Sequence, residues 1–153
     1  MKKALTISLC AILLSLSLCG CEEKDVGPSQ EEFFVITQMI QDGEYEQAEA
    51  ALEEAYGHTE YTMRPSGNNK MNQYRLFYVS QGQYDEAMTV LLDYLQANDF
   101  VNYLADVPGD TLPTEDGCVY AVVQAKGLLE SVSSEMKAEA TELIGQDLLD
   151  KYE

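Results

Sequence analysis

The sequence predicts an all-α fold: a short stack of antiparallel helix hairpins, about six helices in all, ending in a C-terminal helical pair. Three observations lead there. Apolar residues recur at helical spacing from residue 33 onward, and no segment sustains the polar–apolar alternation of a strand. A block of residues also occurs twice. Gly43, Tyr45, Ala48 and Leu52 recur as Gly82, Tyr84, Ala87 and Leu91, in the same order and spacing, 39 positions on.

The chain opens with Met1-Lys2-Lys3 and an uncharged stretch, Ala4 to Gly20, that ends in Leu18-Cys19-Gly20 just before Cys21. Ser8, Ser15 and Ser17 interrupt the stretch, whose length suits the core of a secretory signal peptide and lies at the low end for a membrane span. With Leu three positions before Cys21 and a small residue directly before it, the segment resembles the signal peptide of a bacterial lipoprotein. That resemblance implies residues 1–20 as a signal peptide, a lipid on Cys21, and a protein held on the extracytoplasmic face of the cell membrane. An uncleaved membrane helix, or cleavage without lipid, is the competing reading. Residues 21–28 are polar and acidic with Gly27-Pro28, which reads as a flexible linker. The segment up to Gln30 reaches at most about 30 Å when extended.

Residues 29–153 form the folded domain. Ser29 with Glu32 makes a capping box for a first helix. Gly43 and Gly82 permit the tight turn inside each hairpin, and Ala48 and Ala87 let two helix axes approach. Apolar, helix-patterned segments, Phe33 to Ile40 and Met71 to Val79, precede the two blocks. The connection from Gly57 to Asn69 carries Pro65 and Gly67, and Asn68 or Asn69 is placed to cap the third helix. The fourth helix ends near Asn98, and Asp99 to Ala105 adds a short helical turn. Thr114 is placed to cap a helix from Glu115 to about Val132, with Val119, Val122, Val123, Leu128 and Leu129 inward. Ser133 or Ser134 starts a last helix to about Lys151, with Ala140, Leu143, Ile144, Leu148 and Leu149 inward.

The doubled Gly-x-Tyr-x-x-Ala-x-x-x-Leu string resembles the second half of a tetratricopeptide repeat. The resemblance covers residues 29–98, with repeats at about 29–60 and 68–99. Tyr78 matches the family's aromatic position and Met39 replaces it in the first repeat. Ile36 and Arg75 stand where a small residue is usual, and the spacing exceeds the family's by about five residues. The pair at about 114–152 is either a degenerate third unit or a terminal cap. The family implies binding of a protein or peptide through the repeat surface, with the third helix on the concave side.

Composition narrows the partners. The 153 residues carry 9 Lys and Arg against 27 Asp and Glu, a net charge of −18. Loss of residues 1–20 removes Lys2 and Lys3 and no acid, giving −20. Such a chain is repelled by nucleic acid and by anionic lipid, so the expected membrane contact is the lipid anchor alone. Of the cysteines, only Cys21 and Cys118 outlast cleavage. A lipidated Cys21 leaves Cys118 without a partner, as a buried small hydrophobe in an apolar run.

The residues offer little catalytic chemistry, and no enzyme activity is expected. His58 is the single histidine and sits at a helix end. Asp106, Asp110, Glu115 and Asp116 crowd one loop without the spacing of a calcium site. No cofactor and no metal are expected. One window stands out: between Glu60 and Asp85 there is no acid. It holds Arg64, Lys70 and Arg75 with Asn72, Gln73 and Tyr74, and makes an electropositive, amide-bearing helix that suits an anionic or C-terminal peptide group. The bland alternative is that these cations offset neighbouring acidic helices and the aromatics form core. The leading expectation is thus a protein or peptide partner in the cell envelope. The runner-up is a small-molecule or metal binder serving an envelope transporter, with a pocket lined by Tyr94, Phe100, Tyr103 and Tyr120.

Overall fold

The computed structural model describes residues 27–152. Cys21 and the signal-peptide segment lie outside the described residues. Within them the chain is all-α, with eight helices and no strand: α1 Gln30–Gln41, α2 Tyr45–Tyr56, α3 Pro65–Ser80, α4 Tyr84–Ala97, α5 Phe100–Ala105, α6 Gly117–Leu128, α7 Ser134–Ile144 and α8 Gln146–Lys151. The all-α expectation holds. Six of these are long, and α5 and α8 are six-residue additions.

Helix α1 begins as the sequence predicts. Ser29 Oγ accepts from the Glu32 N–H, and the Glu32 carboxylate accepts from the Ser29 N–H at 2.7 Å. The Ser29 hydroxyl also donates to the Glu32 carboxylate at 2.7 Å, and that bond, with the one from the Ser29 N–H, holds the Glu32 carboxyl below its usual range. Both hairpins then turn in the same way. Gly43 has φ +77 and Gly82 φ +73, the left-handed region where a side chain is strained. The Gly43 N–H donates to Ile40 O and the Glu44 N–H to Met39 O; the Gly82 N–H donates to Val79 O and the Gln83 N–H to Tyr78 O. Each glycine and the residue after it thereby satisfy two carbonyls of the helix that ends there, the Schellman arrangement.

After each turn the repeated residues point inward. Ala48, Leu52, Ala87 and Leu91 are fully buried. Tyr45 is half-buried and its hydroxyl donates to Ser80 O at 2.9 Å, tying the first hairpin to the end of α3. Tyr84 is also half-buried.

Helix α4 organises the rest. Ala87, Met88, Val90, Leu91, Leu92, Tyr94 and Leu95 are all buried, so the helix is apolar over most of its circumference and needs several neighbours, with Glu86, Thr89, Asp93 and Gln96 left as an exposed stripe. Helices α3, α5, α6 and α7 all pack against it. The core has two parts. A smaller cluster holds Ile36, Ile40, Ala48, Leu52, Tyr56 and Phe77; a larger one surrounds α4. Tyr74 and Tyr78 pack against both.

Three boundaries and one packing differ from the sequence reading. First, α3 starts at Pro65, not after Asn68 or Asn69. Proline at the first helical position has no N–H to lose, and Gly67 fits under Thr62, where a side chain would collide with the Thr62 backbone. Asn68 instead accepts from the Tyr94 hydroxyl at 2.5 Å. Second, Asp116 rather than Thr114 caps α6, its Oδ1 accepting from the N–H groups of Cys118 and Val119 at 2.9 Å, and α6 ends at Leu128. Third, Ser133 caps α7 as expected, but Gly145 at φ +82 splits the last helix into α7 and α8. Fourth, α6 and α7 do not pair as a hairpin. Each lies on α4 instead, and α7 is fastened there by the Ser133 N–H donating to the Asp85 carboxylate at 2.8 Å.

Of the residues predicted inward in these last helices, Val119, Val122, Ala140, Ile144 and Leu149 are buried, and Val123, Leu128, Leu129, Leu143 and Leu148 are half-buried against the same core. Cys118 is buried, and burial pushes its thiol up to about 12. The end of the linker touches the domain: Gly27 and Pro28 are half-buried, and Gly27 lies against Ser66.

Candidate partner-binding groove

Helix α3 carries the acid-free window, and its 3.6-residue period sends the window's side chains in different directions. Lys70 turns toward the α2–α3 connection. Its ammonium donates to Thr59 O at 2.6 Å and stands 4.8 Å from the Tyr61 ring centroid and 5.9 Å from that of Tyr74. Burial lowers the Lys70 pKa, against the opposing pull of the Glu53 charge. Arg75 turns toward α6. Its guanidinium donates to Asn72 Oδ1 at 3.2 Å and to the Tyr120 hydroxyl at 3.0 Å, and lies 5.8 Å from the Tyr120 ring centroid. Asn72 also accepts from Tyr120 at 2.7 Å. Gln73 is only 1% exposed; its amide donates to Phe33 O and to Thr37 Oγ1, joining α3 to α1. Arg64 is exposed at the start of α3.

The six candidates therefore do not make one electropositive face. Gln73 is core, Asn72 and Arg75 form a closed network with Tyr120, and only Lys70 and Tyr74 share a cavity. The aromatic pocket expected for a small ligand is likewise not assembled. Tyr94 and Phe100 are buried in the main core, and the Tyr103 hydroxyl donates to Asp116. Tyr120 alone borders a polar cleft of about 310 Å³, with Asn68, Asn69, Asn72 and Asp116.

The larger feature lies across α3, between α2 and α4. Two adjoining cavities of about 430 Å³ and about 340 Å³ share Glu53, Tyr74 and Tyr78. Tyr61, Tyr74 and Tyr78 form the floor. Glu46, Glu49 and Glu53 stand on the α2 side, and Glu86 and Asp93 on the α4 side. All five carboxylates are exposed. The Tyr74 hydroxyl is pushed up to about 12, chiefly by burial and then by the Glu53 charge; Tyr61 is raised by burial and by Asp93.

Sequence reasoning missed this groove, although its signal was present. Tyr74 and Tyr78 stand four apart on one helix, Glu46, Glu49 and Glu53 share a stripe of another, and Glu86 and Asp93 stand seven apart on a third. Nothing in the linear chain shows that the three stripes converge. Among the described residues no three His, Cys, Asp or Glu side chains come together as a metal site. No protein-family model, curated protein or solved structure matches this chain.

The tyrosines make a pH prediction. The hydroxyls of Tyr56 and Tyr74 rise to about 12 through burial first, and that of Tyr103 rises to about 12 through its hydrogen bond to Asp116. An unfolded tyrosine ionises near 10. The folded state thus holds these protons longer, so their contribution to stability is complete below pH about 10 and is lost as pH rises toward about 12. Tyrosinate absorbance and helical circular dichroism are expected to change together in that window. Full ionisation near pH 10 with unchanged helix content contradicts the assignment.

Proposed function

We propose that this chain is a membrane-tethered lipoprotein whose helical domain, similar to tetratricopeptide repeats, binds a protein or peptide partner in the cell envelope. The domain works through its surface and not through bond-making chemistry. The observation that carries the reading is the repeated turn. Gly43 and Gly82 adopt the same left-handed conformation, and each with the residue after it satisfies the equivalent pair of helix carbonyls, 39 positions apart. Two hairpins of one design, stacked side by side, leave a groove long enough for several side chains of a partner. The anchor rests on Leu18, Gly20 and Cys21. The excess of acid argues for a protein ligand over nucleic acid or an anionic membrane surface.

The tether has a direct test. In cells fed labelled palmitate, the wild-type chain is expected to carry label and sediment with membranes. Cys21→Ser is expected to lose the label. A Cys21→Ser protein that labels as well as wild type rules out lipidation at this residue.

A further inference from the structure

Resting on the partner-binding reading above, we propose that the groove between α2 and α4 seats a basic protein segment, with Lys or Arg side chains laid over the tyrosine floor between the two rows of carboxylates. Little of the charge is offset from within: Glu53 feels the charge of Lys70 and accepts from the Tyr74 hydroxyl at 3.5 Å. The single ion pair within 4.0 Å among the described residues is Lys137 with Glu130, far along the chain from the groove. Glu46, Glu49, Glu53, Glu86 and Asp93 thus face the cavities without a paired cation, and Lys70 is the one cation that lines either cavity.

Lys70 shows what the floor accepts. Its ammonium stands over Tyr61 and Tyr74 at distances at which a ring face attracts a cation. It spans only one end of the groove. Among the described residues no cation lies over Tyr78, which both cavities share. Tyr78 is half-buried and lines both cavities, and an aromatic ring flanked by exposed carboxylates favours an ammonium or guanidinium and rejects an anion. Glu46 and Glu49 line the larger cavity, Glu86 and Asp93 the smaller, and Glu53 lines both, so carboxylates continue from one cavity into the next past the shared tyrosines. That suits successive basic side chains of one chain better than a single small cation.

The test uses the full-length chain in neutral detergent micelles and a fluorescent octapeptide of alternating Lys and Ala, at low salt of about 20 mM, where exposed charges are little screened. Wild type is expected to bind the peptide. The triple variant Glu53→Gln, Glu86→Gln, Asp93→Asn is expected to weaken binding about tenfold. A control triple on α7, Glu135→Gln, Glu139→Gln, Glu142→Gln, removes the same charge from exposed positions and is expected to leave binding within about twofold. Tyr78→Phe keeps the ring face and is expected to retain binding; Tyr78→Leu is expected to lose about threefold. Equal losses in the two triples would reduce the attraction to net charge and overturn the proposal, as does absence of binding. Spermidine competing as well as the peptide at equal concentration would make a polyamine the ligand instead. Capture of envelope proteins separates this inference from the reading beneath it. Capture by wild type that persists in the groove triple refutes the groove and leaves the partner role; capture by neither removes the partner role itself.

Discussion

Leu91→Ala is expected to lower folding stability by about 2–5 kcal/mol, the range for deleting a buried leucine side chain in a core that cannot collapse around the gap. Leu91 has no exposed surface and sits on α4, the helix against which α3, α5, α6 and α7 all pack. A void there faces several elements at once, and none can move to fill it without leaving another. Thermal melting should fall by about 10 °C or more. Leu52→Ala makes the same chemical change at the equivalent position of the first hairpin, in the smaller cluster of α1, α2 and Phe77. Hydrogen exchange should separate the two. Leu91→Ala accelerates exchange throughout the domain, whereas Leu52→Ala accelerates it first in α1 and α2. A loss under about 1 kcal/mol for Leu91→Ala contradicts the central role of α4.

Gly67→Ala is expected to destabilise by about 1–3 kcal/mol, although alanine is the better helix former by about 1 kcal/mol. The site decides the sign. A Cβ at Gly67 collides with backbone oxygen and nitrogen of Thr62, and backbone atoms cannot rotate aside as a side chain does. Either the 57–64 connection lifts or the first turn of α3 unwinds. Gly127→Ala is the opposite case. It lies in α6 with ordinary φ and nothing within 4 Å of the added carbon. That substitution should stabilise by up to about 1 kcal/mol. Urea midpoints of the two variants are expected to move in opposite directions. A Gly67→Ala midpoint at or above wild type means Thr62 yields easily.

The hairpins were legible because their information is local. Ser29 and Glu32 cap each other, and Gly43 and Gly82 turn the chain, within a few residues of the helices they bound. What the chain hid was set at longer range. Pro65 and Gly67 look like loop residues until Thr62 is seen lying over Gly67. Thr114 and Asp116 are both good caps by type. Asp116 holds the position while its other oxygen accepts from Tyr103, thirteen residues back. The helices after residue 114 are consecutive and read as a pair, yet the broad apolar surface of α4 draws each away from the other. The residues of the acid-free window adjoin in sequence and suggest one electropositive helix. The helical period scattered them, and placed Tyr74 and Tyr78 beneath carboxylates of two other helices.

Tyr74 and Tyr78 lie along the seam by which the first hairpin would peel from the remainder, since both clusters of the interior lean on them. Their outer surfaces are also the bed of the groove. Anything that settles there restrains the seam as well, so occupancy and cohesion are linked through the same two rings. On the proposed function, the domain then holds together best when the groove is filled.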